Sequence, residues 1–381
     1  MDPSPTIDRR RLIAGLALGT LAPAGLRAAA ARGSAGPLFV HCAKAGEGDG
    51  DFRVAGFDVR GDRRFTLPLP DRGHSIAFHP LRPHCVVFAR RPGTFAVVVD
   101  HRTGVALRRI DPVAGRHFYG HGAFSADGGV LFASENAFEE GRGEIGIYDV
   151  GDGYRRVDGF ASHGVGPHDL RLAPDGRSLL VANGGIRTHP DYGRLKLNLD
   201  DMKPSLALVD AASGRSIAEA RLPADLHKLS IRHLAFGAGG LAAVAMQDEE
   251  ERAPPRPLVG LWSGDDIRLL DMPDELLARM RRYTGSTALA AGGEVIAVSA
   301  PKGDLVAFWD VASREEPRFI GHLDIEDGCG VAPDGSAAGF VVTSGDGTIL
   351  RHDPRTRTTQ RIAAPGDFAW DNHAMARLDS V

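Results

Sequence analysis

Cysteine is scarce in this 381-residue sequence: Cys42, Cys85 and Cys329 are all it has. An odd number of thiols cannot form a closed disulfide framework. The three read as core or site residues, with a single Cys42–Cys85 bridge as the alternative. No excess of one charge exists either, since 45 basic residues face 49 acidic ones for a net charge of −4. A polyanion partner requires a basic face, so the balance gives no reason to expect nucleic acid. The one long apolar stretch, Leu12 to Leu26, is interrupted by Gly and Pro. At about 15 residues it falls short of the ~20 a membrane span needs, so the mature protein is expected to have no span. Also missing are a Gly-x-Ser-x-Gly elbow, a phosphate-binding Walker loop, a His-Glu-x-x-His helix and a Cys-x-x-Cys-His haem site, which removes the commonest sequence-legible chemistries.

Glycine and proline are plentiful instead. They total 48 and 24 residues, about 19% of the chain against an ordinary ~12%. No fixed glycine period accompanies them, which excludes collagen, and 43% apolar residues exclude a disordered chain. A folded protein of many turns and short strands remains.

Residues 1–31 read as an address. Arg9-Arg10-Arg11-Leu12-Ile13 precedes the apolar stretch, and Ala28-Ala29-Ala30-Ala31 supplies a small-residue cleavage site. The segment resembles a twin-arginine export signal, with a general secretory signal as the alternative. Periplasmic localisation follows as the expectation.

The strongest signal is an internal repeat. A polar residue, often His, opens a few alternating apolar residues, then an Asp-Gly-like turn, then an apolar strand. Examples are His121-Gly122-Ala123-Phe124 before Val130-Leu131-Phe132-Ala133 and His168-Asp169-Leu170-Arg171-Leu172 before Leu179-Leu180-Val181-Ala182. Several copies add a third strand ending in Asp: Asp100, Asp149, Asp210 and Asp310. Copies begin near 74, 121, 168, 233, 287, 329 and 373. A spacing of 42 to 65 residues, with about four strands in each copy, is that of propeller blades. Residues 37–381 are therefore expected to form one all-β, seven-bladed β-propeller of the WD40-like kind. The last copy has a single strand, so Pro37–Cys42, Phe52–Val59 and Phe65–Leu69 are expected to complete its blade and close the ring.

In a propeller the first strand of each blade lines the central channel. Five first strands begin with histidine: His74, His121, His168, His233 and His373. Pseudo-symmetry would aim five imidazoles at one axis, and imidazole is the commonest ligand for Zn, Cu, Fe and Ni. Asp327 and Cys329, opening the sixth copy, could add anionic ligands. His74 and His168 stand four residues before the apolar anchor, whereas His121 and His233 stand three before it, so an even ring is not assured. The long connections 184–204 and 247–251 would cover the same mouth. Glu135, Asn183, Arg194 and Gln247 are the candidates there for contacting a bound group.

Longer motifs carry a family resemblance. Tyr119-Gly120-His121-Gly122, Ser134-Glu135-Asn136, Gly166-Pro167-His168-Asp169, Ala182-Asn183-Gly184-Gly185-Ile186, Pro190-Asp191-Tyr192-Gly193-Arg194, Ser230-Ile231-Arg232-His233 and Trp370-Asp371-Asn372-His373 resemble the exported proteobacterial family of unknown function DUF1513. That resemblance implies an exported propeller whose genes often neighbour imelysin-like, iron-uptake loci. It makes iron the leading metal and other periplasmic iron-uptake proteins the expected partners. The combined expectation is a periplasmic propeller that binds a transition metal, iron or copper, in metal uptake or handling. A metal-dependent oxidoreductase and a metal-free interaction scaffold are the alternatives.

Overall fold

The computed structural model describes residues 36–46, 50–193, 195–363, 366 and 368–378. The address segment, residues 1–31, lies outside them. Seven antiparallel sheets follow one another along the chain. Six are four-stranded and sequential. Their first strands are Gly73–Phe78, Arg116–Phe124, Pro167–Leu172, Leu229–Phe236, Ser286–Leu289 and Gly328–Pro333. The seventh sheet joins both ends of the chain: Leu38–Ala45 pairs with Phe52–Asp58 on one side and with Phe368–Trp370 and Met375–Arg377 on the other. The innermost strands touch their neighbours in cyclic order all the way round. The chain is thus a closed seven-bladed propeller, and closure removes the open sheet edges that invite aggregation.

Burial follows from this stacking. The middle strands are covered on both faces, so Val295–Ala300 and Ser178–Asn183 are buried at every position and lose the period-two alternation of a half-exposed strand. An outermost strand such as Val105–Ile110 is exposed except at its end. The core lies between blades: Val86, Phe88 and Val98 of the first blade pack with Phe124, Leu131 and Tyr148 of the second. The recurrent Asp after the third strand has a mechanical role. The Asp100 carboxylate accepts the backbone N–H of Arg102 at 2.9 Å, and Asp149, Asp310 and Asp353 repeat this with Gly151, Ala312 and Arg355. These side-chain turns launch the return into the fourth strand. Two insertions explain the uneven spacing: the connection from 184 to 204 in the third blade, and the short helix Asp274–Arg279 before the fifth. Among the described residues no helix is long and apolar enough to cross a membrane. Cys42, Cys85 and Cys329 are free thiols, all buried, so the alternative Cys42–Cys85 bridge is not formed.

Several histidines outside the channel are built into this frame as neutral rings. His79 Nδ1 accepts the N–H groups of Leu81 and Arg82, each at 3.0 Å. His117 Nε2 faces the Asn136 amide N–H at 2.9 Å, which leaves Nδ1 to donate to the Phe118 carbonyl at 3.1 Å. Burial is the main cause that pushes the pKa of His79, His101 and His117 down to about 4. The unfolded chain binds these protons near pH 6.5 and the folded chain only near 4. Stability is therefore full above about pH 6.5 and falls as pH drops toward 4. For His117 the loss approaches about 2–3 kcal/mol. Thermal melts from pH 7.5 to 4.5 should show a progressive fall in midpoint. A flat profile would refute neutral burial of these rings.

Candidate metal centre

The inner strands are irregular where histidine occurs. In the first blade, strand register passes from Gly73 opposite Ala89 to Ile76 opposite Val87, leaving one extra residue around His74. In the second it passes from Phe118 opposite Glu135 to Gly122 opposite Ala133, around His121. The third shifts between Pro167 and Asp169, around His168, and the fourth between Ile231 and His233. His373 sits at positive φ, 71°, between the two short closing strands. Of the two blades without histidine there, the fifth pairs without a shift, and the sixth shifts between Gly328 and Val331, around Cys329. Bulges re-aim side chains. Here they absorb the three-versus-four offset in the sequence and turn the rings to a common point.

The five imidazoles form one cluster. Ring centroids lie 4.6 Å apart for His74–His373, 4.4 Å for His233–His373, 4.8 Å for His121–His373, 4.8 Å for His168–His233 and 4.9 Å for His74–His121. All five are buried. Two ligand groups share His121: His74, His121 and His168, and His121, His233 and His373, each with its ligand nitrogens within 4.8 Å of one another. Three nitrogens spaced evenly at ~2.1 Å round one ion are at most ~3.6 Å apart, so inward shifts of at most about 0.7 Å per ring let either group embrace a single ion. Gly120 makes room: at φ +106 its missing Cβ would come within 2.5 Å of His74 Cδ2.

The nitrogens have no other employment. His74 Nδ1, His121 Nε2, His168 Nε2, His373 Nε2 and both nitrogens of His233 are buried without a hydrogen-bond partner. Buried polar atoms are nearly always satisfied, and so many orphans converging on one point fit a bound cation. Burial, the largest cause, and mutual repulsion hold the pKa of His74, His168, His233 and His373 well below the ordinary value. Neutral imidazole is the ligating form.

One carboxylate supports the cluster. Asp169 is fully buried, with Oδ1 3.0 Å from His121 Nδ1. Its Oδ2 accepts the Leu234 N–H at 3.0 Å and the Arg171 guanidinium at 3.3 Å. Burial alone would raise this acid; Arg171, His121 and His233 outweigh it and hold Asp169 well below the usual carboxylate range. The contact lacks hydrogen-bond geometry, but a carboxylate this close to Nδ1 favours the proton there and leaves Nε2 to face an ion. Asp169→Asn should therefore weaken metal affinity about 10- to 100-fold without loss of fold, which competition against a chelator would measure. Unchanged affinity would remove Asp169 from the centre.

Outside the cluster the channel opens into a cavity of about 560 Å³. Gln247 lines it, as do Asp327 and Cys329. The last two do not join the imidazoles: Cys329 Sγ lies 3.0 Å from the Asp327 carbonyl, and burial raises both side chains' pKa. Glu135 is committed inside its own blade, accepting from Tyr148 at 2.6 Å and pairing with Arg156 at 2.8 Å. Asn183 bridges chain segments by donating to the Ser162 carbonyl at 3.0 Å. Arg194 lies outside the described residues. Sequence reasoning missed Asp169 and Arg232, each adjacent to a cluster histidine. Their only signal was position beside the repeated residue.

Comparison with known proteins places the fold and the family. Over 85% of this chain and 95% of the other, the protein is similar to a solved structure of Kuenenia stuttgartiensis hydrazine synthase, with a TM-score of 0.56 and 15% identity. At that identity the likeness is one of fold. No curated protein matches the chain. The family described as "Protein of unknown function (DUF1513)" matches residues 67–377, a span that takes in all five cluster histidines and Asp169, and the chain belongs to that family.

Proposed function

We propose that this propeller binds a transition-metal ion, iron or copper, through the imidazoles of its channel, and that it acts in metal acquisition or handling in the periplasm. The observation that carries the reading is the convergence of five buried imidazoles whose inward nitrogens lack partners. A borderline-soft donor set of neutral nitrogens suits late first-row metals rather than calcium or magnesium, which prefer oxygen. The metal itself would supply Lewis acidity or redox capacity. The chain's part is to hold the rings neutral, to orient His121 through Asp169, and to bury the centre below a polar cavity. Export is supported by the Arg9-Arg10-Arg11 segment and its alanine run, and partnership with other periplasmic iron-uptake proteins by the family resemblance.

Elemental analysis of the protein purified from its native compartment tests the reading. About one equivalent of iron or copper per chain is expected. Below ~0.2 equivalent, with no uptake from added Fe(II) or Cu(II), the metal reading fails and a metal-free scaffold remains.

A further inference from the structure

We propose that the cavity over the imidazole cluster is a binding site for a small multivalent oxyanion, a polycarboxylate or phosphate, held by Arg91 and Arg232. The chain as a whole is acidic, at −4. Yet eight Arg or Lys side chains and only five carboxylates line this cavity. Three of those carboxylates are already committed. Asp371 is paired with Arg72, Asp248 accepts from Arg282 at 2.6 Å and Arg256 at 2.7 Å, and Glu249 is paired with Lys196.

Two guanidiniums are left in deficit. Arg232 is 4% exposed. Its Nη2 reaches Glu249 only at 3.4 Å, its Nη1 reaches His168 Nδ1 only at 3.4 Å, and its Nε has no partner. Arg91, half-buried on the same wall, donates to no acceptor among the described residues. Burial first, then the neighbouring Arg232 and Arg90, push the Arg91 pKa down to about 10. A buried polar group without a partner is costly, and a buried charge more so. An oxyanion resolves both deficits, because the planar fork of arginine matches carboxylate and phosphate with two parallel bonds. Gln247, Asn372 and Tyr283 on the wall offer neutral polar contacts of the kind that orient a ligand. Arg232 also touches the metal cluster through His168, so anion and cation sites are neighbours.

Calorimetric titration of the metal-stripped protein with citrate and, separately, inorganic phosphate tests the site at neutral pH and low salt. One equivalent should bind with a dissociation constant below about 1 mM. Citrate alone, phosphate alone, or both would each support the site and identify its class. Arg91→Gln should weaken binding at least about tenfold, because a charge-assisted bidentate contact is lost. Arg91→Lys keeps the charge without the fork and should fall between; it carries the test if the glutamine variant does not fold. Absence of binding by both anions at about 10 mM, or undiminished affinity in the folded Arg91 variants, would overturn the proposal. No metal is present in this experiment, so its failure leaves the metal reading standing, and a protein that binds no metal leaves this site testable.

Discussion

Replacing His121 and His168 together by alanine should abolish metal binding while the propeller stays folded. His121 belongs to both ligand groups, so its loss breaks both. Removing His168 as well leaves the first group with His74 alone. The remaining rings, His74, His233 and His373, retain close pairs, but no group of three with His121 survives. Metal affinity is expected to fall by at least about a thousandfold, roughly two coordinate bonds' worth, or about 4 kcal/mol at ~1.4 kcal/mol for each factor of ten. The effect on the metal-free fold should be small. Truncating a buried ring leaves a cavity, which destabilises, but it also removes unsatisfied nitrogens that cost free energy where they are. The two terms oppose, and the net change is expected within about 2 kcal/mol.

The readout that separates a ligand site from a structural ring is therefore the metal-induced shift in melting temperature. A ligand at a thousand times its dissociation constant stabilises by about 4 kcal/mol. Wild type should show that shift and the double variant should not. A double variant that keeps both its affinity and its thermal shift would make the histidine cluster a packing feature.

The fold was legible because each blade writes the same phrase. The closing of the ring was legible too: a seventh copy at His373 with one strand required partners, and Leu38–Ala45 supplies them. The histidine cluster could be anticipated from its place in five of the seven repeat copies, although only His74 and His168 stand near the start of their strands, while His121 and His233 lie well inside theirs and His373 precedes its own. What the sequence did not disclose is how those strands reach their register. A bulge adds residues without changing composition, so the offset between His121 and His168 looked like disorder in the ring when it is corrected by local geometry. Side-chain commitments were equally hidden. Glu135, a candidate for the mouth, is captured within its own blade by Tyr148 and Arg156 from the third and fourth strands. Asp327 and Cys329 stand at the head of the sixth blade, where five other copies carry histidine. There Gly330 is pressed against the closing blade, its missing Cβ 2.7 Å from His41 Cε1 and from the Ala374 nitrogen, and the pair faces the outer cavity. Asp169 and Arg232 occur once each, so no periodicity could mark them.

Closure also predicts where the fold is most fragile. Trp370 ends the strand Phe368–Trp370, which zips the last segment of chain onto the first. Its ring stacks on His41 with centroids 5.2 Å apart and planes 7° from parallel, and it meets Phe57 at 5.5 Å and Phe368 at 5.3 Å. Its indole N–H donates to the Gly347 carbonyl of the sixth blade at 3.1 Å. One side chain thus joins the N-terminal strands, the C-terminal strand and the neighbouring blade. Trp370→Ala removes a buried aromatic and orphans a carbonyl at a seam that only short strands hold, and should cost about 3–5 kcal/mol. Loss at this point differs in kind from loss inside a blade. A vacancy between two sequential strands leaves the ring closed. One at the seam loosens the pairing of Ala43 to Ala45 with Phe368 to Trp370 and uncovers an edge of Leu38–Ala45 that can pair with another chain. Trp370→Ala should therefore unfold at lower urea and form larger species on heating, seen by size-exclusion chromatography with light scattering. Trp309→Ala, within the fifth blade, is the matched control: it too removes a buried aromatic and an indole N–H, the one that bonds the Asp271 carbonyl at 2.9 Å, and should cost a similar ~3–5 kcal/mol yet remain monodisperse. Equal monodispersity of the two variants on heating would show that the seam is no weaker than the blades.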